Sequence, residues 1–232
     1  MSTQMIKAKI LEQLNNVKRE GMTELIGWLN STNFFTSPAS ARFHLCRKGG
    51  LAEHSWDVFW KLRELYLEIE EIDQPMAPGQ KPLIVTEENI IIAGLLHDVN
   101  KVDLYKPTRP GSRFKYYCDK QHPKGHGELS VKRISNFIPM HDIEKYMIRF
   151  HMGIYGTFEM DDYCAEYPLK NVHSEEEKNW SKAEKEADKE KRYCSSLRNC
   201  WYHNPICKLL SIADELATLE EKCVDYARKH NG

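Results

Sequence analysis

Nowhere does this sequence approach the roughly 20 consecutive apolar residues that span a bilayer. Its start also lacks the basic-then-apolar pattern of a secretory signal. A cytoplasmic chain with no membrane partner is therefore expected. The seven cysteines, Cys46, Cys118, Cys164, Cys194, Cys200, Cys207 and Cys223, are odd in number, scattered and never spaced as Cys-x-x-Cys. They are expected to be reduced thiols. An excess of charge of one sign is missing too: 33 Lys and Arg stand against 34 Asp and Glu, for a formal net charge of -1. The chain as a whole has no electrostatic pull on nucleic acid, although a local basic patch is compatible with that balance. No internal repeat is visible.

What is present is enough apolar material for a core. With 232 residues, 41% of them hydrophobic, one elaborated domain fits better than two complete ones. Ile6, Ile10, Leu11 and Leu14, then Leu25, Ile26 and Leu29, recur at helical spacing on either side of Gly21. Two short helices over residues 1–35 are expected to cover a bundle formed by residues 36–228. A helix is predicted after Gly49 and Gly50, with Leu51, Val58, Phe59, Leu62, Leu65 and Tyr66 on its buried face. Thr86 to Asn89 reads as a helix start, and Ile90 to Leu96 is apolar nearly all round, as in the middle helix of a bundle. Further helices are expected from His126 to Phe137, from Ile143 to His151 and from Pro205 to about Ala227.

Three stretches break this rhythm. Residues 75–82 read as a loop, and residues 106–124 as a basic, aromatic rim with a short strand or extended segment at Phe114 to Cys118. Residues 173–192 mix Glu and Lys densely, with Trp180 as the one large apolar side chain. Such a run suits a solvated excursion, and the sharper alternative is a lid over substrate.

Polar residues then collect where the helix pattern places core. His97 and Asp98 end the apolar helix, offering an imidazole nitrogen and a carboxylate oxygen to a single ion. His54 lies on the Leu51/Val58 face, where one histidine alone is either a satisfied core residue or a ligand. Asp214 falls four residues after Leu210 and three before Ala217, on the apolar face of the last helix. A carboxylate there needs either a metal or a buried Lys or Arg. His126 and His151 stand at helix ends and are either terminal residues without a chemical role or further donors. The four groups His54, His97, Asp98 and Asp214, taken together, point to a metal.

Gly49-Gly50-Leu51-Ala52-Glu53-His54-Ser55 and Gly94-Leu95-Leu96-His97-Asp98-Val99-Asn100-Lys101 resemble two signatures of the HD-domain phosphohydrolases, Gly-Gly-Leu-x-Glu-His and Leu-His-Asp-x-Gly-Lys. The order His, His-Asp, His, His, Asp is kept, and the resemblance covers roughly residues 40 to 220. The branch that includes bacterial 3′-to-5′ exoribonucleases and related phosphodiesterases is the more similar, since there a further histidine precedes the Gly-Gly motif, as His44 does here. This chain departs from the pattern at Asn100, where Gly is usual, and at Met152, where that branch often has a second His.

The resemblance implies an all-α HD-domain bundle with a metal site in its interior. It implies that His54, His97, Asp98 and Asp214 hold one divalent ion and that His126 and His151 join a second, drawn from Mn, Fe, Ni, Co, Zn or Mg. Hydrolysis of a phosphoester by a metal-activated water follows, with Asp98 orienting the nucleophile and Lys101 either contacting phosphate or forming a structural salt bridge. Arg47 and Lys48, and Lys106, Arg113 and Lys115 beside Tyr105 and Tyr116, are candidate substrate-binding residues. The expected substrate is small and phosphorylated, a nucleotide, a cyclic nucleotide or a short nucleic acid. The alternative is a non-catalytic module that senses a ligand through the same bundle.

Overall fold

The computed structural model describes residues 1–70, 85–119, 125–153, 195–198, 200–202 and 204–230. The loop expected at 75–82 and the charged segment at 173–192 lie outside these residues. The described part is mostly helical, with a single two-stranded sheet, and no described helix is long and apolar enough to cross a membrane.

Helix α1 (Thr3–Asn16) starts at Ser2, whose side chain accepts from Met5 N, and it buries Ile6, Ile10 and Leu14. Helix α2 (Met22–Ser31) buries Met22, Leu25 and Leu29. Both packed faces are those of the apolar spacing. The turn between these helices carries Arg19, whose guanidinium lies 2.6 Å from Glu144 Oε1 and 3.2 Å from Glu88 Oε2. Glu144 is completely buried, so this pairing replaces the water it gives up and ties the first two helices to the bundle.

Helix α3 (Gly50–Glu70) is the long helix expected after the Gly-Gly pair, and Leu51, Val58, Phe59 and Leu62 are buried along it. Helix α4 (Glu87–Leu96) opens with a capping box between Thr86 and Asn89. Every residue from Asn89 to Leu96 is buried, so the all-round apolarity does mark a central helix. α3 and α4 approach closely at Gly94, where an added Cβ would lie 2.7 Å from Phe59 Cα.

A 3-10 turn, Val99–Asp103, follows α4 and leads into a hairpin of β1 (Tyr105–Pro107) and β2 (Tyr116–Cys118), antiparallel with Lys106 opposite Tyr117. Helices α5 (His126–Ser135) and α6 (Asp142–Phe150) come next. A short turn, Pro205–Lys208, then runs into α7 (Leu209–His230). α7 packs along α3, and most of the buried apolar side chains from Ile6 to Ala217 form one cluster.

Candidate metal centre

Five helices point polar side chains at one place. His54 projects inward from the first turns of α3, and Asp214 faces it from α7 with Oδ1 3.1 Å from His54 Nε2. His97 caps the C-terminus of α4, its Nδ1 2.9 Å from the Gly94 carbonyl. His151 caps α6 in the same manner, with Nδ1 2.6 Å from the Ile148 carbonyl. These backbone contacts hold Nδ1 of both rings as donor and turn Nε2 inward. His126 is the first residue of α5, set by Gly125 in the left-handed conformation at φ 82.

Asp98 is the hub, 1% exposed. Its Oδ2 lies 3.7 Å from His54 Nε2 and 3.6 Å from His97 Nε2. Its Oδ1 lies 3.4 Å from His126 Nε2 and 3.5 Å from His151 Nε2. The two oxygens of one carboxylate thus divide four histidines into two pairs. The rings form a chain, with centroids 5.3 Å apart for His54 and His97, 5.0 Å for His97 and His151 and 5.2 Å for His126 and His151.

The donor chemistry fits a divalent cation. His97 Nε2 is buried and makes no hydrogen bond, a condition that costs on the order of 1–3 kcal/mol in a protein interior, and His151 Nε2 and Asp98 Oδ1 meet only at 3.5 Å. Cations seated among these groups would give each of them a partner. Three sets, His54/His97/Asp214, His97/Asp98/His151 and His44/His54/Glu221, place one ligand atom per residue within 4.8 Å of one another, and mixed imidazole and carboxylate donors suit first-row divalent ions.

Electrostatics sharpen the arrangement. Burial drives the His97 imidazole down to about 3, so it is neutral with a lone pair to offer. Burial opposes charge on His54 as well, yet hydrogen bonds to Asp214 and Glu221 hold it up to about 10. Asp98 is also desolvated, but the Lys101 ammonium and neighbouring histidines keep it well below the usual carboxylate range. Lys101 Nζ sits 2.6 Å from Asp98 Oδ2.

All six residues expected as metal ligands therefore meet in one cluster, and Lys101 joins them. The expected substrate residues have other surroundings. Arg47 is engaged with Glu53 at 2.6 Å, and Lys48 is exposed. Lys106, Arg113 and Lys115 belong to the hairpin region, where Arg113 lies 5.4 Å from the Phe114 ring. Arg42, which the sequence reading passed over, stacks on the same ring at 4.3 Å and so joins the hairpin to the loop that carries His44. That loop packs tightly: a Cβ on Gly50 would fall 2.1 Å from the Leu45 carbonyl oxygen.

Two further residues belong to the cluster. His44 packs against His54 with ring centroids 5.0 Å apart and planes tilted by 47°. Glu221 reaches His54 Nδ1 at 2.9 Å. Its signal was present in the sequence, seven residues after Asp214 and so on the same face of one helix. Asn100, at the position where the HD signature has Gly, accepts from Arg133 through its side chain, and its backbone N–H donates to Ser130 Oγ at 3.1 Å. No family model, no curated protein and no solved structure matches this chain.

Proposed function

We propose that this protein is an HD-type, metal-dependent phosphohydrolase that cleaves a phosphoester of a nucleotide, a cyclic nucleotide or a short oligonucleotide. The observation that carries the reading is the division of four histidines between the two oxygens of Asp98, the arrangement a carboxylate needs to serve two ions. His54, His97, Asp98 and Asp214 would hold one ion, and His126 and His151 would share Asp98 with a second. Such ions supply electrophilic polarisation of a phosphoryl group and a water acidic enough to attack it near neutral pH.

The chain's own groups set up the rest. The carbonyls of Gly94 and Ile148 fix the orientation of His97 and His151. Lys101 places a cation at the edge of the cluster, where it balances Asp98 and can meet phosphoryl oxygens. The chain's near-balanced charge, -1 overall, offers no long basic track, which favours a small substrate over processive action on nucleic acid.

Elemental analysis of the purified protein, paired with hydrolysis of bis(p-nitrophenyl) phosphate and a nucleotide panel in added Mn, tests this directly. Metal retention together with turnover supports the enzyme. A metal-free and inactive wild type sinks it.

A further inference from the structure

Glu221 is 6% exposed, deeper than a carboxylate is ordinarily left without a task. It lies two turns beyond Asp214 on α7. Its Oε1 is 2.9 Å from His54 Nδ1, and its Oε2 is 3.7 Å from His44 Nε2. One turn further along the same helix, Asp225 accepts from Leu45 N at 3.2 Å, which fastens the His44 loop to α7.

The two nitrogens of an imidazole lie on opposite edges of its ring. For His54 the Nε2 edge faces Asp214 at 3.1 Å and Asp98 at 3.7 Å, while the Nδ1 edge faces Glu221. A carboxylate on the Nδ1 edge holds a proton there, so that an ion displacing the proton shared between Nε2 and Asp214 would meet the Nε2 lone pair. Glu221 could join an ion only on the Nδ1 side, with His44 and His54; for an ion held by Nε2 with Asp98 and Asp214 the ring stands between them. A plain ion pair joining α3 to α7 would need no such aim toward the cluster.

We propose that Glu221 is a positioning residue for the metal centre: through His54 Nδ1–H it holds the ring with Nε2 directed at Asp98 and Asp214. This rests on the metal reading above. Carboxylates in this relation to a ligating histidine typically change metal affinity by about 10- to 100-fold.

The test compares full-length wild type, Glu221→Gln and Glu221→Ala. Mn(II) affinity is measured by electron paramagnetic resonance titration and helical content by circular dichroism. Proton NMR of the metal-free protein follows the His54 Nδ1–H signal, which a hydrogen bond to Glu221 shifts downfield and protects from exchange. Glu221→Ala is expected to lose the signal and to bind Mn about 100-fold more weakly at unchanged helicity, and Glu221→Gln, which keeps the acceptor but not the charge, about tenfold more weakly with the signal retained. The glutamine variant carries the test if the alanine variant does not fold. Wild-type Mn affinity in a folded variant overturns the proposal, as does a His54 signal that survives in Glu221→Ala. A wild type that binds no Mn refutes the metal reading instead, and the metal-free NMR signal still decides whether Glu221 orients His54.

Discussion

Lys101 Nζ lies 2.6 Å from Asp98 Oδ2, while the other oxygen, Oδ1, faces His126 and His151 at 3.4 and 3.5 Å. A fixed ammonium beside a carboxylate weakens the hold of that oxygen on a divalent ion by simple repulsion without displacing the other donors, and it is well placed to meet a phosphoryl group. Lys101→Met is expected to bind Mn at least as tightly as wild type and to lose about 100-fold in kcat, a typical cost for a missing transition-state contact. Mn affinity falling in step with kcat would make the lysine part of the ion's scaffold instead.

Asp98 offers an oxygen to each histidine pair, whereas His151 shares only the Oδ1 side with His126. Asp98→Ala is therefore expected to lose all tightly held metal and all hydrolysis while keeping its helical circular dichroism. His151→Ala is expected to lose only the more weakly held share of bound metal. Elemental analysis after desalting separates the two variants, and equal metal content in both would contradict a shared carboxylate.

Gly94 lets α4 rest against the backbone of α3, with an added Cβ only 2.7 Å from Phe59 Cα. Backbone cannot yield as a side-chain tip does, so Gly94→Ala is expected to destabilise the fold by about 1–3 kcal/mol. Because the Gly94 carbonyl also accepts from His97, metal affinity should fall with it. Urea denaturation measures the first effect, and unchanged stability would mean that the two helices can separate freely.

Asp57, one turn after His54 on α3, gives a pH dependence with a definite sign. Burial, with Glu221 and Glu53 close by, raises its carboxyl from 3.8 up to about 7. The folded state thus favours the protonated acid, so this contribution is intact below about pH 4 and is lost as pH rises through about 7. Asp57→Asn mimics the neutral acid. In chelator it should raise Tm at about pH 8 and leave it nearly unchanged at about pH 4. The opposite order would mean that the carboxylate is stabilised by partners in the fold.

Much of this was legible in the sequence because helical periodicity is a local property. The faces of α1, α2 and α3, the central place of α4 and the inward aim of Asp214 all follow from steps of three and four residues. The strand at Tyr116–Cys118 was expected only as an alternative, and its partner Tyr105–Pro107 was missed, since a three-residue strand containing proline carries little pattern. Arg19 and Glu144 were missed for another reason: each looks like an ordinary surface charge until helix packing buries them together. Glu221 shared the face of Asp214 but was masked by the acidic run Glu220-Glu221, in which nothing local distinguishes the buried carboxylate from the exposed one.

The cluster draws its donors from α3, α4, α5, α6 and α7, so an early and a late segment of the chain meet at one atom-sized point. An ion seated there would act as a reversible rivet through the whole bundle. Its grip would be spent on closing long loops that otherwise open at little cost, in the manner of a cross-link that a chelator can remove. Loading with metal would then govern how long the folded protein endures.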